Sequence, residues 1–136
     1  MKTLFADTFY WIALINPGDD WYNRVLNTSN SLGQIQIVTT DEVLTEVLTF
    51  YSEAGTRMRQ RTVEFVDNIL NNTKIQVIEQ THASFLAGLE LYRSRFDKGY
   101  SLTDCISMNT MPQLGITEVL THDQHFAQEG FVILFR

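Results

Sequence analysis

The chain is expected to fold as one α/β domain, a parallel-dominated sheet of about five strands with helices on both faces. Three observations carry that expectation. Short apolar runs alternate with longer amphipathic segments along the whole chain, and strand–helix alternation selects a parallel sheet joined by helical crossovers. The first run, Thr3-Leu4-Phe5-Ala6, lacks the polar alternation of a half-solvated strand, as in a strand covered on both faces. A length of 136 residues with 44% hydrophobic side chains fits a single domain over residues 1–136 and supplies a substantial core. There is no internal repeat, low-complexity tract or linker.

Asp7 closes the first strand, and a helix follows from Thr8 to about Ile15. Pro17-Gly18-Asp19-Asp20 is turn chemistry, and a second helix runs from Trp21 to about Leu32, ended by Gly33 as a left-handed cap residue. Ile35–Val38 is a second strand. Thr39 with Glu42 has the form of a capping box for the next helix, in which Val43, Val47 and Phe50 mark the apolar face. Gly55 breaks the chain before a helix over Thr56–Leu70, whose apolar members are Met58, Phe65, Val66, Ile69 and Leu70. Ile75–Ile78 is a third strand and Thr81–Phe96 a long helix carrying Phe85, Leu86, Leu89 and Tyr92. Ser101 and Asp104 form a second capping box at the start of a helix that Pro112 should end or kink near Met111, with Gly115 as its stop. Glu118–Thr121 and Phe131–Phe135 complete the strands.

A formal charge of −6 argues against a general nucleic-acid coat protein, because phosphate binding relies on clustered Lys and Arg. No segment approaches the roughly 18 apolar residues of a membrane span, and Asp7 interrupts the N-terminal apolar run too early for a signal peptide. No membrane contact and a cytoplasmic location are therefore expected, in agreement with a single cysteine, Cys105, that has no partner for an internal disulfide. Cys105 follows an acid and reads as a small helix residue rather than a nucleophile.

Four carboxylates stand out. Asp7 and Asp123 follow strands, where the ligands of parallel sheets gather, although Asp7 is also placed to cap a helix. Asp104 is either a first-turn cap favoured by the helix dipole or a site residue. Glu46 lies among Val43, Val47 and Phe50, where an ionised carboxylate is costly unless it reaches water or meets a cation. His122 and His125 flank Asp123, but a histidine-based metal site is not expected in a chain with three histidines. Arg57, Arg59 and Arg61 form the densest basic cluster, readable as a phosphate contact or as ordinary surface. Arg93, Arg95 and Lys98 place positive charge just before Asp104, useful for holding a polyanion beside an acidic site.

Taken together, strand-end Asp7, helical Glu46 in Thr40–Val47, helix-start Asp104 in Leu102-Thr103-Asp104-Cys105, and Asp123 in Leu120–Phe126 resemble the PIN domain, nearest to the VapC-type toxins of bacterial toxin–antitoxin pairs. Thr8 matches the small hydroxyl residue often found after the first Asp, His122 is a departure at a variable position, and Glu42 stands as a substitute for Glu46. The resemblance implies a metal-dependent endoribonuclease producing 5′-phosphate and 3′-hydroxyl ends, an antitoxin partner, and a homodimer. It makes Arg93, Arg95 and Lys98 the candidate RNA contacts. Four crowded carboxylates cannot all stay ionised without a cation, and an all-oxygen site favours Mg²⁺ or Mn²⁺. Asp7, Glu46, Asp104 and Asp123 account for four of the six net negative charges, and one or two such ions bound there would offset much of that locally. The competing readings are a PIN-fold interaction module with a weak or empty metal site, and a phospho-acceptor signalling domain, for which Lys74 and Lys98 are poorly placed.

Overall fold

The structure is a computed structural model describing residues 1–136. Five parallel strands, β1 (Lys2–Ala6), β2 (Ile35–Thr40), β3 (Ile75–Ile78), β4 (Glu118–Leu120) and β5 (Val132–Ile133), form one sheet in the order β3-β2-β1-β4-β5. The helices are α1 (Thr8–Ile15), α2 (Tyr22–Ser31), α3 (Asp41–Phe50), α4 (Thr56–Asn71), α5 (His82–Ser94), α6 (Leu102–Gln113) and α7 (Gln124–Gln128). Connections from β1 run outward through β2 to β3, then return across the sheet to β4 and β5. Right-handed crossovers therefore place α1–α4 on one face and α5–α7 on the other. Accordingly α1 packs on α2, α3 and α4, while α5 packs on α6.

The unbroken apolar run of β1 has its explanation in this order. β1 is the central strand, and Leu4, Phe5 and Ala6 are all fully buried, with side chains alternating into both layers. Burying a side chain such as Leu4 or Phe5 is worth about 1.5–3 kcal/mol.

Several expected boundaries shift for identifiable reasons. β2 continues to Thr40, because Thr39 Oγ1 donates to the Ala6 carbonyl at 2.9 Å and accepts from Trp11 Nε1 at 3.3 Å. Thr39 is thus bound within the sheet, the Thr39–Glu42 capping box does not form, and Thr40 caps α3 by accepting from the Val43 N–H at 3.1 Å. Pro112 falls in the last turn of α6, where little of the hydrogen-bond ladder remains to be lost, so the helix reaches Gln113 before Gly115 turns the chain at φ 68°. β5 pairs only over Val132–Ile133, although Phe135 beyond it is buried in the core. Phe85, Leu86 and Tyr92 of α5 face solvent. The helix instead docks through Gly88, where an added Cβ would lie 2.5 Å from Ile106 Cγ1 of α6. Phe50 and Leu70, expected on buried faces of α3 and α4, are likewise exposed.

Candidate metal centre

The strand order reverses between β1 and β4, and the crevice beyond their carboxyl ends is where open parallel sheets bind ligands. Asp7 occupies that position. It is the residue preceding α1, but its side chain makes no capping bond, so the capping alternative does not account for it. Thr121 Oγ1, just after β4, donates to Asp7 Oδ2 at 2.9 Å and accepts from the Asp123 N–H at 3.1 Å, tying the two strand ends together. Asp7 is 4% exposed and its Oδ1 has no hydrogen-bond partner.

The other three acids arrive from separate elements. Asp104 and Ser101 form the expected capping box, each side chain accepting from the other's backbone N–H at 3.0 Å. Glu46 projects from α3 and accepts from Thr8 Oγ1 at 2.5 Å. Asp123 caps α7 by accepting from the His125 N–H at 2.9 Å. All four carboxylates line one open cavity of about 420 Å³, together with Thr8, Ser101 and His125. A larger cavity of about 750 Å³ lies between α3 and α4 and has Glu64 as its single acid.

Crowding and burial leave an electrostatic mark. Burial, reinforced by the charges of Asp104 and Asp123, pushes the Asp7 carboxyl up to about 7, against the opposing pull of the Thr8 backbone amide and the Thr121 hydroxyl. Asp104 is also raised, first by burial and further by Asp123 and Glu46, with the Ser101 amide acting in the opposite direction. A divalent cation answers both causes. The buried, unpartnered oxygen of Asp7, in a cavity that three other carboxylates also line, is the observation that makes these residues fit one. Burial lifts the Cys105 thiol to about 11, which removes it as a nucleophile.

The remaining candidates lie apart from this cavity. Glu42 faces a different cavity with Thr81 and Phe85, and accepts from Ser84 Oγ at 3.4 Å. Arg95 is held in a two-pronged pair with Glu129, at 3.0 and 2.9 Å; Arg93 pairs with Glu90 at 2.6 Å and Lys98 with Asp97 at 3.7 Å. Arg59 and Arg61 donate to the Ser52 and Ile15 carbonyls, which gives two of the three α4 arginines a structural employment.

A PIN-domain family model matches residues 4–131, spanning all four acids. The chain belongs to the PIN-domain family. Among solved structures, this PIN domain is similar to the Mycobacterium tuberculosis toxin VapC20, described as cleaving the sarcin–ricin loop, at 25% identity over 95% of this chain and 96% of that one, with a TM-score of 0.84. The fold is shared with Rickettsia felis VapBC2 bound to a promoter DNA fragment, at 16% identity over 96% of each chain and a TM-score of 0.64. It is shared too with Neisseria gonorrhoeae FitAcB, at 15% identity over 96% of this chain and 95% of that one, with a TM-score of 0.61. No curated protein matches the chain in sequence.

Sequence reasoning set His125 aside, yet this PIN domain places it in the cavity. Its Nδ1 lies 3.3 Å from Asp123 Oδ1 and 3.6 Å from Asp104 Oδ2. The available signal was its spacing, two residues after a strand-end acid, but nothing in the sequence showed that a helix of five residues begins there and turns the ring inward.

Proposed function

We propose that this PIN domain is a divalent-metal-dependent endoribonuclease and the toxin of a toxin–antitoxin pair. The observation that carries the reading is the convergence of Asp7, Glu46, Asp104 and Asp123 on one cavity beside β1 and β4, with a buried Asp7 oxygen left unpartnered. Those four carboxylates would hold Mg²⁺ or Mn²⁺. Such an ion, when bound, lowers the pKa of a coordinated water toward neutrality and offsets charge on the phosphoryl and leaving oxygens.

The chain's own residues supply orientation. Thr8 fixes Glu46, Thr121 fixes Asp7, the Ser101 N–H fixes Asp104 and the His125 N–H fixes Asp123, so each acid is held before substrate arrives. RNA enters through the open side of the cavity, with the scissile phosphate toward the acids. The likeness to VapC20 supports RNA as substrate and makes a sarcin–ricin-loop RNA the first to try. The likeness to VapBC2 supports an antitoxin partner, and the exposed row of Phe85, Leu86 and Tyr92 on α5 is consistent with a second copy of the chain as another. No helix is long and apolar enough to cross a membrane.

The test is cleavage of total cellular RNA and of a sarcin–ricin-loop RNA by purified protein, in chelator and with added Mg²⁺ or Mn²⁺. Cleavage that needs the cation and falls by orders of magnitude in a folded Asp104→Asn variant is expected. Metal-independent cleavage, or an Asp104→Asn variant as fast as wild type, would sink the reading. No cleavage with either cation would favour the interaction module.

A further inference from the structure

We infer that His125 Nδ1 is a ligand of this centre, which makes its donor set mixed nitrogen and oxygen and biases it toward Mn²⁺ over Mg²⁺. The inference rests on reading the four carboxylates as a metal centre, and adds to them a residue that the carboxylate pattern does not contain.

The geometry is specific. One carboxylate oxygen each from Asp104 and Asp123 and a ring nitrogen of His125 all lie within 4.8 Å of one another. Donors at adjacent positions around an ion, each about 2.1 Å from it, sit about 3.0–3.5 Å apart. The nitrogen's separations of 3.3 Å from Asp123 and 3.6 Å from Asp104 are close to that spacing. Neither contact is a hydrogen bond: Nδ1 is buried and has no partner, although two acceptors stand beside it. A buried ring nitrogen that stands beside two carboxylates without a hydrogen bond to either is the arrangement a shared cation between the three groups would produce.

The surroundings hold the ring in that attitude. The His125 backbone N–H is bound by Asp123, and the ring meets Tyr100 edge-on at 5.3 Å between centroids. Gly99 leaves room for the opposite side of the ring, where an added Cβ would come within 3.3 Å of Nε2. Tyr100 is in turn fixed by donating to Glu129, which Arg95 clamps. The other nearby histidine is otherwise engaged, since His122 Nδ1 lies 2.9 Å from the Phe135 carbonyl. Imidazole suits transition ions, whereas Mg²⁺ prefers oxygen and water, so a nitrogen donor here favours Mn²⁺.

The experiment uses Mn²⁺ alone as probe and pulsed electron paramagnetic resonance as readout. Wild-type protein with one equivalent of Mn²⁺ should show coupling to a ¹⁴N nucleus, and the pattern should change to that of ¹⁵N when the protein is grown on ¹⁵N-histidine. That labelling arm involves no substitution and so does not depend on a variant folding. His125→Phe should lose the coupling and bind Mn²⁺ about tenfold or more weakly, with Mg²⁺ affinity changed less than threefold. His122→Phe should keep the coupling. Bound Mn²⁺ without histidine coupling, or coupling lost in His122→Phe and retained in His125→Phe, overturns the inference and leaves the nuclease reading standing. Failure of wild type to bind Mn²⁺ overturns both.

Discussion

Asp7 makes the metal-free protein pH-sensitive in a direction that can be worked out. The unfolded chain releases this proton near 3.8 and the folded chain near 7, so the folded state holds it more tightly. The stability this contributes is fully present below 3.8 and drains away as pH rises through about 7. The whole effect corresponds to about 4 kcal/mol, of which about 3 kcal/mol falls between pH 5 and pH 8. For a chain of 136 residues the unfolding entropy is about 0.3 kcal/mol per degree, so the loss amounts to about 10 °C in Tm. Asp7→Asn removes the titration. Its amide can still accept from Thr121, and its N–H₂ takes the place of Oδ1 without titrating, so any change it makes to the Tm is an offset rather than a slope. The slope rather than the Tm at any single pH is therefore the readout. Melting curves in chelator from pH 5 to pH 8 should show wild type losing about 10 °C more than Asp7→Asn. Added Mn²⁺ at pH 8 should restore wild type and leave the variant nearly unmoved, since a ligand stabilises only in proportion to its affinity for the folded state. Parallel pH slopes for the two proteins would refute the reasoning.

Because Glu46 lines the acidic cavity and Glu42 a separate one, Glu46→Gln should lower RNA cleavage by orders of magnitude while folded Glu42→Gln cleaves near the wild-type rate. Thr40→Ala removes the α3 cap and should lower stability by about 1 kcal/mol, or roughly 3–4 °C in Tm. Gly88→Ala forces a methyl against Ile106 and should destabilise by about 1–3 kcal/mol in denaturant titration, with the metal affinity unchanged. Arg95→Ala should leave the salt dependence of RNA binding unaltered if Glu129 keeps the guanidinium occupied; a slope flatter by about one unit would place Arg95 on a phosphate.

The sheet was legible because its strands are short apolar runs with turn chemistry between them, and β3 is found at Ile75–Ile78 as read. Legibility failed where tertiary contacts decide. Thr39 and Thr40 are chemically equivalent caps, and only the Ala6 carbonyl across the sheet determines which one is taken into β2. The apolar residues of α5 suggested a buried face through Phe85 and Leu89. The helix instead turns Gly88 inward, because a residue without a side chain lets α5 approach α6 more closely than a leucine would. The α7 helix is too short to show a period, and with it His125 stayed hidden.

The four acids were legible for a different reason, and the structure brings all of them to the lining of one cavity. In each of them one carboxylate oxygen receives a protein donor: Asp7 Oδ2 from Thr121, Glu46 Oε1 from Thr8, Asp104 Oδ2 from Ser101, Asp123 Oδ1 from His125. No protein group donates to the other oxygen of any of the four. Asp104 and Asp123 each cap a helix through one oxygen and keep the other without a protein donor, so serving as a cap does not exhaust either side chain's capacity for a cation. A carboxylate anchored by one oxygen loses little further rotamer freedom when the other meets an ion. The short acids at the starts of α6 and α7, Asp104 and Asp123, are thus suited to both roles, which is why reading them as structural punctuation and reading them as chemistry led to the same positions.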